Sequence, residues 1–112
     1  MKLFDGFYQL GFVARILDKA VCALGTRYGI TRFRRKQLNE TMCSAHVYAG
    51  DIMIEIVEVS KSGPSFYLGY LPAADDTIRL HHHGFRVPDE ARWAAIVATI
   101  DERGLERRCA AQ

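Results

Sequence analysis

The chain has 112 residues, of which 49% are hydrophobic and 25% charged, and its formal net charge is +2. These values are typical of one globular domain, and so small a net charge does not by itself argue for nucleic-acid binding, so we expect no nucleic-acid partner. No apolar run is long enough to span a membrane, and the first residues lack the pattern of a signal peptide. We therefore expect a cytoplasmic protein with no membrane partner.

The N-terminal half predicts one strand, one helix and three further strands. Residues 6–14 are rich in aromatic and β-branched residues, as strands are. Asp18 is expected to cap a helix that ends at Gly29, with Cys22 buried on its apolar side. The three later strands are expected over residues 31–38, 45–49 and 52–59.

The C-terminal half starts with a linker over residues 61–77, which contains an aromatic patch. A strand over residues 80–87 follows, and then a helix that begins at Pro88 and Asp89. Trp93 lies on the apolar stripe of that helix, so we expect it in the core. Residues 105–112 can form one more short strand.

This order of elements predicts the α+β class, with a mixed, curved sheet and helices on one side. We expect a single domain over residues 1–112. The cysteines at positions 22, 43 and 109 have no metal-binding or redox spacing.

A short pattern occurs twice, once in each predicted strand–helix start. Gln9 aligns with His82 and Gly11 with Gly84, in both cases at an offset of 82 − 9 = 84 − 11 = 73 residues. Strand alternation puts Gln9 and Gly11 on one face, and His82 and Arg86 on one face. By the same alternation, His81 and His83 are expected to face away from His82.

The strand Leu80–Val87, the acidic helix start after it and the strand Met53–Glu58 resemble the vicinal oxygen chelate superfamily, the glyoxalase/bleomycin-resistance/dioxygenase fold. The resemblance implies paired βαβββ modules around a small-molecule site. Residues 1–60 then correspond to one module, and residues 78–112 to the start of a second one. The last two strands of the second module have no counterpart, so we expect a homodimer in which a partner chain completes the site.

The resemblance also implies functional residues. Gln9, Glu55 and His82 match the positions that hold a divalent metal ion in metal-using members, and Glu55 would also be the catalytic base. Such a site suits lyase, isomerase or epimerase chemistry on a substrate with adjacent oxygens. The candidate substrate-binding residues are Arg86, Tyr67 and His46.

Each of these residues has an ordinary structural interpretation as well. Glu55 can lie on a solvent face, His82 can be a core histidine bonded to backbone, and Gln9 can be a polar wall residue. The basic cluster fits either a solvated strand face or an anion-binding wall; it comprises Arg32, Arg34, Arg35 and Lys36. At the level of function, the alternative is a metal-free dimer that binds or sequesters a small molecule. A shortened relative that only folds and dimerises is a third interpretation.

Overall fold

The structure, a computed structural model, describes residues 4–107, which fall into two compact units. Residues 7–84 form one unit, and residues 4–6 with 85–107 form the other. The elements in chain order are β1 (Phe7–Ala14), α1 (Leu17–Tyr28), β2 (Arg34–Gln37), β3 (Met42–Ala49), β4 (Ile52–Val59), α2 (Ser65–Leu68), β5 (Arg79–Phe85) and α3 (Glu90–Glu102). No helix in the described part is both long and apolar enough to cross a membrane.

The described strands form one mixed sheet in the order β2-β3-β4-β1-β5. β1 pairs parallel with β4, whereas β3 pairs antiparallel with both β2 and β4. A parallel pair next to antiparallel pairs is what a helix crossover followed by consecutive hairpin strands produces. The predicted α+β class with a mixed sheet is therefore confirmed.

α1 packs on one face of the sheet, here called the helix face. Leu17, Ala20 and Leu24 are buried against this face, and their spacing places them on one side of the helix. The sheet supplies buried apolar residues in return, namely Ala14, Ala45 and Ile56. Cys22 lies on the other side of α1 and is exposed, so its expected burial was wrong.

The start of α1 is capped by a distant residue. Its N-cap position is Ile16, which supplies no side-chain hydrogen bond. The Leu17 N–H donates instead to the Glu58 carboxylate at 2.9 Å. Asp18, the expected cap, lies in the first turn and pairs with Arg35 at 2.6 Å. The expected Asp18 cap was therefore wrong, because a strand 41 residues later provides the acceptor.

The second face of the sheet is partly covered by α2. Tyr67 and Leu68 pack there against a cluster of Met42, Val57 and Val59. The sequence predicted a linker and an aromatic patch in this stretch and did not predict a helix. α2 is a single turn that follows Pro64, whose fixed φ suits a position just before a helix.

In the second unit, α3 begins as the sequence predicted. The Asp89 side chain accepts a hydrogen bond from the Arg92 N–H at 2.8 Å, and Gly104 takes a positive φ of 66° just after the helix. Ile96 is buried, but Trp93 is 49% exposed. The prediction of a core Trp93 was wrong, because the apolar stripe is buried only one turn further along. Residues 105–107 form no strand, and the rest of the expected last strand lies outside the described residues.

Candidate functional site

The second face of the sheet, which α2 partly covers, is here called the site face. One row of residues crosses all five described strands on this face. In the strand registers Arg34 pairs with His46, His46 with Glu55, and Glu55 with Gly11. The ring of His82 lies over Gly11 from the neighbouring β5. This transverse row therefore consists of Arg34, His46, Glu55, Gly11 and His82.

Gly11 provides the space in which the His82 side chain approaches Glu55. A methyl group added there would overlap the imidazole of His82, so only a glycine leaves room for the ring. Because Gly11 lies between β4 and β5, the imidazole passes over it and reaches Glu55. The His82 Nε2 and Glu55 Oε1 atoms are 3.7 Å apart.

The two copies of the repeated pattern pack reciprocally. His82 lies over Gly11, and Gln9 lies over Gly84, where an added methyl group would overlap the Gln9 side chain. Residue numbers therefore rise along β1 as they fall along β5, which is an antiparallel arrangement. Each long polar side chain of the repeat occupies the space left by the glycine of the other copy.

Glu55 is the polar centre of the site face. Its side chain is 19% exposed and accepts a hydrogen bond from the side-chain amide of Gln9. Burial raises the pKa of the Glu55 carboxyl above its usual value, whereas His46, the Gln9 hydrogen bond and Lys36 oppose this rise. A half-buried carboxylate with a raised pKa is a typical proton acceptor in active sites.

The hydrogen bonds of His81 favour one tautomer of a neutral His82 imidazole. His81 Nε2 lies 2.8 Å from the carbonyl oxygen of Phe66, which can only accept, so this nitrogen carries a proton. When both imidazoles are neutral, the Nδ1 of His81 then accepts from the Nδ1 of His82 at 3.0 Å. His82 is left with an electron pair on Nε2, the atom that faces Glu55.

His82 and Glu55 therefore present two electron-pair donors to one point. Burial lowers the pKa of His82, and the nearby His81 and His83 lower it further. A neutral imidazole and a carboxylate at 3.7 Å form no good hydrogen bond. The arrangement is suited to a proton or a cation between them.

His81 belongs to this site, although strand alternation predicted that it would face away. Its ring stacks on Tyr67 with centroids 4.4 Å apart, and Tyr70 meets it edge-on at 5.3 Å. The prediction failed because β5 is the outer strand of the described sheet, so the ring can turn toward α2 and the side chain of His82. No spacing signal in the sequence indicates the Phe66 carbonyl that holds His81.

The structure brings five of the six predicted site residues together. Gln9, Glu55 and His82 meet, His46 lies opposite Glu55, and the Tyr67 ring reaches His82 edge-on at 6.4 Å. The sixth residue, Arg86, belongs to the other unit, where its backbone N–H donates to the Gly6 carbonyl at 2.8 Å, and its substrate-binding role stays a prediction.

The stronger metal ligands do not form a complete set by themselves. Within residues 4–107, no group of three or more His, Cys, Asp or Glu side chains is placed to hold a metal ion. The candidate set contains two such residues, Glu55 and His82, together with the amide of Gln9. Searches against models of known protein families and against curated proteins gave no match.

Proposed function

We propose that the site face binds a small molecule with adjacent oxygens, with a divalent metal ion at Gln9, Glu55 and His82, for lyase, isomerase or epimerase chemistry. The observation that carries this proposal is the approach of a neutral imidazole to a half-buried carboxylate. The Nε2 and Oε1 atoms are 3.7 Å apart, and the amide of Gln9 bonds to the same carboxylate.

The donor set fits a divalent ion of the first transition row. Ligands about 2.1 Å from a tetrahedral ion lie about 3.4 Å from each other, close to the observed separation of Nε2 and Oε1. The Nδ1–H of His82 is directed to His81, which is the kind of support that orients a ligating histidine. Such an ion, when bound, would polarise the substrate oxygens.

Glu55 has the properties of the proton-transferring group. Burial raises its pKa toward neutral pH, which improves a carboxylate as a base. His46 and Lys36 favour its ionised form, so the carboxylate can both accept a proton and release it. We propose that Glu55 removes a proton from a carbon next to a substrate carbonyl.

Metal titration of tag-free protein tests this proposal. Calorimetry with Zn²⁺, Ni²⁺ and Mn²⁺ is expected to show one saturable site. His82→Ala or Glu55→Gln should lower the metal affinity of that site at least about tenfold. His83→Ala is the matched control, because His83 is the next residue in the histidine run and its ring lies near Phe7 instead. Equal affinity in His82→Ala and wild type would refute the metal site.

A metal-free binding protein is the second candidate function. A cavity of about 840 Å³ opens on the site face beside His46, which is a volume suited to a small molecule. Its lining includes Phe33, Tyr48 and Met53, which can pack against an apolar ring. A ligand that raises the melting temperature equally with and without chelator would favour this candidate.

We also propose a homodimer in the cytoplasm. The outer strand β5 carries Leu80, which is 44% exposed, and a strand edge of this kind can pair with another chain. The free thiols of Cys22 and Cys43 agree with a reducing compartment. Light scattering during size-exclusion chromatography is expected to give twice the chain mass of 12.7 kDa, and a monomer mass would contradict the dimer.

A further inference from the structure

The cavity on the site face is basic at one end. It lies along β2, β3 and β4, and it measures about 840 Å³. Six of its lining residues matter here: Thr31, Arg32, Arg34, His46, Tyr48 and Met53. No carboxylate is among its described lining residues, whereas two arginines and His46 are.

The arginines in β2 and just before it differ in their partners. Arg35 points to the helix face and pairs with Asp18 at 2.6 Å. Arg32 and Arg34 form no ion pair with any carboxylate of residues 4–107. Their guanidinium groups therefore keep the capacity to bind an external anion through paired N–H donors.

The basic cavity is continuous with the polar centre of the site face. His46 lines the cavity, and it lies between Arg34 and Glu55 in the transverse row. Two strand spacings of about 4.8 Å separate the backbones of Arg34 and Glu55, or about 10 Å in all. A molecule with a chain of a few carbon atoms can span this distance from end to end.

We propose that Arg32 and Arg34 bind a carboxylate or phosphate group at one end of the substrate, while the reacting end lies at Glu55. This assignment of substrate class rests on the proposed function of the same face. It makes the substrate an anionic small molecule with two separate recognition points. The paired N–H donors of each guanidinium fit the two oxygens of either group.

An anion titration followed by NMR tests the proposal. The probes are inorganic phosphate and malonate, each added at constant ionic strength so that general charge screening does not change. We expect saturable shifts of the His46, Tyr48 and Met53 signals. Arg34→Gln or Arg32→Gln should lower the anion affinity obtained from these shifts at least about tenfold. The probe that binds more tightly distinguishes a phosphate from a carboxylate substrate.

Arg35→Gln is the matched control, because it removes the same charge from the same strand on the other face. Binding that survives Arg35→Gln and is lost in Arg34→Gln supports the site. No saturable shift, or equal weakening by both variants, overturns it. Titrations of the wild-type protein separate the two proposals: metal binding with no saturable anion shift removes only this inference, whereas a saturable anion shift with no metal binding removes only the metal-dependent function.

Discussion

The two faces of the sheet are built from alternating residues of the same strands, yet the polar site residues lie on only one of them. On the helix face Ala14, Ala45 and Ile56 are completely buried under α1. On the site face Glu55 and His82 keep 19% and 31% of their side chains exposed. The helix face is a buried apolar layer, whereas the site face carries half-buried polar groups beside its own buried apolar cluster of Met42, Val57 and Val59.

This difference indicates that neighbouring residues of one strand can serve stability and function separately. Ile56 is next to Glu55 in β4, and Phe12 is next to Gly11 in β1, so one residue along the chain changes the role completely. Substitutions of the buried apolar residues should therefore affect folding, and substitutions of the polar residues on the site face should affect binding. The following four predictions test that separation.

The largest effect is expected from Ile56→Ala. Ile56 is completely buried beneath α1, so its truncation leaves a cavity and should lower the free energy of unfolding by about 2–5 kcal/mol. Met53→Ala, three residues earlier on the site face, should cost less than about 1.5 kcal/mol because Met53 is only partly buried. Urea denaturation measures both, and equal losses would contradict the separation of the faces.

Gly11→Ala is expected to damage the site and to cost about 1–3 kcal/mol, because the new methyl group overlaps the His82 ring. The displaced imidazole should also lose its position beside Glu55, so metal affinity should fall in the same calorimetric titration. Gly69→Ala is the control. Its methyl group would be 3.5 Å from the Ser65 carbonyl oxygen, an ordinary contact, at a φ of −67°.

Ser44→Ala is expected to stabilise the protein by about 1 kcal/mol. The Ser44 side chain is 1% exposed, and its hydroxyl has no hydrogen-bond partner within the described residues. Removing a buried, unsatisfied hydroxyl removes its desolvation cost. Thermal unfolding should show a higher melting temperature for this variant, whereas Ser62→Ala, at an exposed hydroxyl, should show no change. A less stable Ser44→Ala protein would indicate a role for the hydroxyl that packing does not explain.

Glu55→Gln is expected to have the smallest effect on stability, and that effect should depend on pH. Burial raises the folded-state pKa of Glu55 above its usual value of 4.5. Well below pH 4.5 the carboxyl is protonated in both the folded and unfolded states, so the variant gains nothing. As the pH rises, the unfolded state ionises more readily, so wild type loses stability relative to the variant.

Urea denaturation of both proteins at several pH values measures this difference. The free energy of unfolding of Glu55→Gln should rise relative to that of wild type from about pH 4.5, and the difference should level off above the folded-state pKa of Glu55. Glu58→Gln is the comparison on the helix face, where the carboxylate accepts the Leu17 N–H. If the free energies of unfolding of wild type and Glu55→Gln differ by a constant amount across this pH range, the burial of an ionisable Glu55 is refuted.

Several features could be predicted from the sequence because they depend on residues close together in the chain. The residue pattern of β4 predicted its observed bounds. Local cap residues predicted Gly29 at the end of α1 and Asp89 at the start of α3. The repeat related Gln9 to His82 and Gly11 to Gly84. Alternation also put Glu55 on the face opposite Ile54 and Ile56.

Other features depend on contacts between distant segments, and local patterns carry no information about those contacts. The strand registers aligned Arg34, His46 and Glu55 into one row. Packing against α2 turned His81 toward His82, and Glu58 replaced Asp18 as the group that caps α1. The sequence by itself therefore determined which residues are polar and which face of the inner strands they occupy. Only the tertiary structure decided which of them meet, because the order and register of the strands set their distances.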